Sequence, residues 1–166
     1  MNLALLGPEG NFNREIAASL AERLDFFFLD TDELIRYEHS EIGGDLPAGE
    51  FLKRQAALCK RLSDYERTVI CCGESLPCFE QNLRALARGA ALCGLVCPQD
   101  VLYRRRKGTP FYLPHAELSA LVQAQKHLPF CDVSLRTKEL TAESDFSRPA
   151  DELLGRLRTV RPDFFG

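Results

Sequence analysis

Apolar and polar positions alternate along this chain in short and long blocks. Residues 2–6 (NLALL) form a continuous apolar run closed by Gly7-Pro8-Glu9-Gly10, which reads as a buried strand entering a glycine-rich turn. Beyond it Ile16, Leu20 and Leu24 recur at helical spacing with alanines between them, predicting an amphipathic helix over about residues 13–24. FFFLD at 26–30 is a second strand, followed by a short helix from Glu33 to Tyr37 and a Gly/Pro-containing loop. A long helix is expected from about Glu50 to Leu62, a third strand at 67–73 (RTVICCG) and a helix over 79–88 stopped by Gly89. AALCGLVC is a fourth strand, and Pro98 opens a helix that runs into the basic cluster Arg104-Arg105-Arg106-Lys107. After a break at 108–114 come a helix over 115–126, a last strand at 132–135 and a closing helix from Pro149 to Leu157.

Strands alternating with helices of this length imply βαβ units. The fold class is therefore α/β: three αβα layers around a five-stranded parallel sheet, with NLALL and TVICCG central. No repeat or linker interrupts residues 1–166, which are expected to form one domain.

Composition narrows the function classes. With 21 basic against 24 acidic residues the net charge is −3, which gives no electrostatic case for nucleic acid or an anionic membrane. Seven cysteines is an odd number, and Cys71, Cys72, Cys93 and Cys97 lie within apolar runs, where they act as small hydrophobes. No CxxC pair or zinc spacing is present, so the thiols imply a reducing compartment rather than a disulfide framework or metal site. The N-terminus lacks the charged n-region and long apolar core of a signal peptide, and the expected location is cytoplasmic.

The chemistry centres on the turn between the first strand and first helix, where backbone N–H groups and a helix N-terminus converge on an anion. Alone, GPEG is a weak sign. The order GPEG, helix, LDTDELI, GEFLKR, TVICCGE, a PQDVL helix, a basic stretch and SRPADELL resembles the shikimate kinase family over essentially the whole chain. That resemblance implies a P-loop kinase architecture, with ATP and Mg²⁺ for an active member. It also implies a lid-like segment at about 104–114, expected here to be the least ordered part of the domain because basic residues and prolines leave little apolar area to anchor it.

The resemblance carries roles onto named positions and shows where they are lost. In the family's GxxGxGK[ST] loop Gly7 and Gly10 are kept, but Phe12 replaces the third glycine, Asn13 the lysine and Arg14 the hydroxyl residue. The lysine bridges β- and γ-phosphates and the hydroxyl binds Mg²⁺, so both contributions go. Arg14 carries charge but lies about 100° further round the helix than the lysine position. The Gly-Gly-Gly turn reads Gly73-Glu74-Ser75, the acid of the FRxxE segment falls on Ala57, a lid arginine on Thr109, and a shikimate-binding arginine on His127. On the acceptor side Asp32 matches a carboxylate that binds a shikimate hydroxyl, Arg54 an arginine that binds its carboxylate, and Asp30 the acid near Mg²⁺.

Plainer readings stand beside these. Asp30 and Asp32 can cap the following helix, Arg54 can be a solvated helix residue, and Arg104–Lys107 a solvated face, with Arg106 the candidate for phosphate binding in the lid. The functional expectation is a shikimate-kinase-like protein with a degenerate phosphate loop, non-catalytic or very weak, holding a small shikimate-like metabolite or a protein partner in a regulatory role. No cofactor is expected on that reading. The alternative is an active shikimate kinase using ATP and Mg²⁺ through an altered loop.

Overall fold

A computed structural model describes residues 1–165, the side chain of Phe130 excepted. The strands are β1 (Asn2–Leu6), β2 (Phe27–Asp30), β3 (Thr68–Cys71), β4 (Ala90–Val96) and β5 (Val133–Arg136). They form one parallel sheet in the order β2-β3-β1-β4-β5. The helices are α1 (Asn13–Leu24), α2 (Thr31–Ser40), α3 (Ala48–Leu62), α4 (Glu80–Ala87), α5 (Gln99–Arg106), α6 (His115–Ala124) and α7 (Ser147–Val160).

The apolar runs take the interior because a parallel strand covered on both faces has no polar side. Successive β1 residues enter opposite cores. Leu3 and Leu5 pack with Ile16 and Leu20 of α1 and with Leu153 and Leu157 of α7, whereas Ala4 and Leu6 pack with Leu58 and Leu62 of α3 and with Leu86 of α4. A third, smaller cluster joins Val101 and Leu102 of α5 to Leu118 of α6. The one polar residue of β1, Asn2, is buried with its amide donating to Leu62 and Tyr65 carbonyls (3.2 and 2.8 Å) and its oxygen accepting from the Thr68 N–H (3.1 Å).

One expectation needs correction. The short helix begins at Thr31 and runs to Ser40, because Asp30 caps it: its Oδ1 accepts from the Glu33 N–H at 2.9 Å. Within residues 104–114, expected as a lid-like segment, Arg106 is the buried residue (2% exposed) and most of the rest are exposed. Thr109 and Tyr112 N–H groups close turns onto Arg106 and Thr109, and Tyr103 just before the segment stacks on His115 at 3.7 Å. Among the described residues no helix is long and apolar enough to cross a membrane.

Candidate functional site

β1 delivers residues 7–12 to the N-terminus of α1 at the carboxyl end of the sheet, where open α/β folds bind ligands. A Cβ on Gly7 would stand 2.9 Å from the Leu95 carbonyl, and Gly10 combines a φ of +104° with Leu102 at 3.2 Å, so glycine is required at both. Phe12 adopts a left-handed backbone (φ 58°) that costs a side-chain-bearing residue about 1–2 kcal/mol. Its ring supplies compensation, packing on Phe146 at 5.3 Å and beneath the Arg105 guanidinium at 4.9 Å. Asn11 fastens the loop to the end of the sheet, accepting from the Thr137 hydroxyl at 2.6 Å.

Asn13, at the lysine position, is 4% exposed and donates its amide to the Gly7 carbonyl at 3.0 Å. A carbonyl only accepts, so the Asn13 nitrogen faces it and Oδ1 faces the other way. That oxygen has no partner. Arg14 does not reach back into the loop. It pairs with Asp30 and, at 2.9 Å, with Glu33, and lies over the Phe28 ring. The acid matched to the Mg²⁺ position is thus both helix cap and partner of Arg14.

Arg106, read from sequence as a phosphate-binding residue of the lid, is placed otherwise. It donates to both Glu74 carboxylate oxygens (2.7 and 3.2 Å), to the Glu9 carbonyl (3.0 Å) and to the Phe111 carbonyl (2.8 Å). Glu74 also accepts from the Glu9 N–H at 2.9 Å, so a carboxylate of the protein itself takes a backbone donor of the loop. Arg105 is equally engaged, donating to the carbonyls of Gly10, Thr137, Lys138 and Leu140 at 2.7–3.0 Å. Protein acceptors, not solvent, thus receive these two arginines of the basic cluster, while Arg104 and Lys107 are exposed.

The Glu9 carboxyl is pushed up to about 7 by burial and by the neighbouring charges of Glu74, Asp30 and Asp32, against the lowering effect of Arg106. Beside it lies a cavity of about 280 Å³ whose lining includes Glu9, Asn13, Arg14, Arg105, Phe12 and Phe111.

On the acceptor side Asp32 sits hard against Gly73: a Cβ there would fall 2.0 Å from Asp32 Oδ1, and the Gly73 N–H donates to Thr31 Oγ1 at 2.9 Å. Asp32 Oδ1 is buried without a partner, and burial raises its carboxyl above the usual range. Arg54 is held by Glu50 one turn back on α3 at 3.4 Å, its one ion pair among the described residues. His127 precedes the 3₁₀ turn Leu128–Phe130, has a buried Nε2 with no partner, and is lowered by burial. Gln125 is buried and donates to the Glu74 carbonyl.

Sequence reasoning left out Glu9 and Gln125, took Arg105 only as part of the basic run, and read Glu74 only as a substitution. An acid inside a turn suited to anions was a visible signal for Glu9; Arg105 and Gln125 offered none, because their partners lie tens of residues away.

The shikimate kinase family model matches residues 14–145, beginning one residue past Asn13. A shikimate kinase of Symbiobacterium thermophilum is 26% identical over 162 residues, covering 86% of this chain and 93% of that protein. Among solved structures, the shikimate kinase of Acinetobacter baumannii in complex with shikimate has a TM-score of 0.79 at 19% identity, covering 96% of this chain and 94% of that one. That of Aquifex aeolicus has a TM-score of 0.78 at 21% identity, covering 95% and 96%.

Proposed function

This chain belongs to the shikimate kinase family, and we propose that it is a member whose nucleotide side has been closed by the protein's own side chains, leaving a non-catalytic or very weak protein that holds a small metabolite or a partner in a regulatory role. The observation that carries the reading is the triple substitution at Phe12, Asn13 and Arg14 together with the contacts those residues and their neighbours make. Asn13 is neutral and turned onto Gly7, Arg14 is paired with Asp30 and Glu33, and Arg106 is paired with Glu74. Phosphoryl transfer depends on positioned positive charge around the moving phosphoryl group and its metal. Here the guanidiniums nearest the loop already face protein acceptors, so the residues present do not fit ATP·Mg²⁺.

The acceptor side supports retention of a ligand. Asp32 is backed by Gly73 and has an unpartnered oxygen. A shikimate-like polyol would offer a hydroxyl donor to the other oxygen of the Asp32 carboxylate, with Arg54 as the family-matched cation. The competing reading, ATP-dependent phosphorylation of shikimate, rests on the same retained pair.

Two measurements separate the readings. Calorimetric titration with ATP·Mg²⁺ is expected to give no binding in the micromolar range. A coupled assay of ADP release at saturating shikimate is expected to stay at background. Turnover near about 1 s⁻¹, within the ordinary range of enzymes, would establish the kinase reading instead.

A further inference from the structure

The two edges of the sheet are finished differently. On β5 the Thr137 N–H bonds inward to the Val96 carbonyl at 2.9 Å, and parallel ladders alternate from residue to residue, so Ser134 and Arg136 turn their main chain outward. There Arg156 of α7 donates to the Ser134 carbonyl and covers the edge. On β2 the Phe27 N–H bonds inward to the Arg67 carbonyl at 2.8 Å, so Phe27 and Leu29 face β3. The outward groups are then the N–H and carbonyl of Phe28, the N–H of Asp30 and the carbonyl of Phe26, whose own N–H is taken by Ala21. Among the described residues no side chain does for Phe28 what Arg156 does for Ser134. The side chains at this edge are apolar and uncovered: Phe27 is 75% exposed and Phe28 38%. Edge strands are commonly blunted by a lysine, a proline or a bulge, and this one presents two phenylalanines instead.

From this edge we infer that the protein pairs with a second copy of itself through β2, antiparallel about a two-fold axis at Phe28. That register answers the outward groups completely. The two Phe28 residues exchange N–H and carbonyl, and the Asp30 N–H of each copy donates to the Phe26 carbonyl of the other. Phe27 then lies opposite Leu29 of the other copy. The charges are complementary about the same axis. Arg67 lies over the Phe26 ring at 5.8 Å, and Phe26 stands opposite Asp30 of the other copy. On α1, Arg14 lies over Phe28 at 5.5 Å, while exposed Glu22 follows two turns along the same ridge. Antiparallel pairing turns Arg14 of each copy toward Glu22 of the other. A row with opposite charges at its two ends is self-complementary, as an isologous interface requires, so a second copy fits this edge better than an unrelated strand does. The inference holds whether or not the nucleotide side works.

A short edge makes a small interface, so association should be weak, with a dissociation constant on the order of 10–100 µM. Sedimentation velocity of the full chain in reducing buffer, over a concentration series spanning that range, is expected to show a monomer–dimer equilibrium. Phe27→Lys alters an exposed side chain and should melt like the parent, yet weaken association at least tenfold. Glu22→Arg should weaken it several-fold. The register has its own test. In a hydrogen-bonded antiparallel pair the Cα atoms stand about 5.5 Å apart, within disulfide reach, so mild oxidation should join Phe28→Cys into a covalent dimer. Phe27→Cys, opposite Leu29 rather than its own counterpart, should stay uncrosslinked.

A parent chain that remains monomeric throughout the series overturns the proposal. So does a dimer indifferent to Phe27→Lys, or a Phe27→Cys chain that crosslinks as readily as Phe28→Cys.

Discussion

Glu9 shows how much one side chain can change a loop whose backbone is otherwise intact. The turn keeps Gly7 and Gly10 where no Cβ fits, yet it carries a carboxyl raised to about 7 at the point where family members receive negative charge. A carboxyl whose folded value lies above its unfolded one holds its proton longer in the folded state, so stability is present at low pH and declines as pH rises through the interval between the two values. Glu9→Gln removes that loss. Thermal melts should therefore show little difference between the variant and the parent near pH 5 and a growing advantage for the variant toward pH 8. A constant difference across that interval would mean that Glu9 is not raised. Asn13→Lys belongs to the same scale and should fold, but ATP·Mg²⁺ calorimetry should still show no micromolar binding, because Glu74 keeps the Glu9 N–H and Arg106.

At the scale of elements, α5 packs through Val101 and Leu102, while its last turn and the turn after it are anchored by the hydrogen bonds of Arg105 and Arg106. Arg106→Ala leaves Glu74 without its partner in a half-buried setting and strips donors from the Glu9 and Phe111 carbonyls. Removing one member of such a pair costs about 3–5 kcal/mol, measurable by denaturant unfolding. Hydrogen exchange should find the amides of Thr109 and Tyr112 protected compared with residues 44–46, and Arg106→Ala should erase that protection. Fastest exchange across 104–114 in the parent chain would support a loose lid instead. This is also where sequence reasoning reached least far. Elements defined by periodicity, such as α1, and the apolar strands were legible to within a residue or two, since their signal is local. The fate of Arg106 was not local: its carboxylate partner lies 32 residues earlier, and a run of four basic residues looks the same whether solvent or a buried acid receives it. The same holds for the site. Gly7, Gly10, Asp30 and Asp32 could be placed from motif and spacing, whereas the Arg14–Asp30 pair and the Glu9–Glu74 contact arise only when strands adjoin.

At the scale of the whole molecule, the two faces of the sheet form cores that share cysteines as filler, with Cys71 and Cys93 on one side and Cys59 and Cys72 on the other. Burial raises the thiols above their ordinary range, Cys59 to about 12 and Cys131 to about 11. In the native protein a disulfide-forming thiol reagent should react slowly and only with the part-exposed Cys78 and Cys131, while denaturant should release all seven. Rapid native reaction of more than two thiols would contradict the packing of both cores. The contact of Glu74 with Arg106 and Glu9 has a consequence for ancestry. Restoring glycine at position 74 by itself would strand the Arg106 guanidinium among carbonyls, and that loss is a large share of the roughly 5–15 kcal/mol that keeps a domain folded. Restoring lysine at position 13 by itself would gain no phosphate while Glu74 stays in place. On the proposed reading, each single substitution back toward the family loop therefore costs stability or gains no phosphate contact, and only the changes made together would reopen the site.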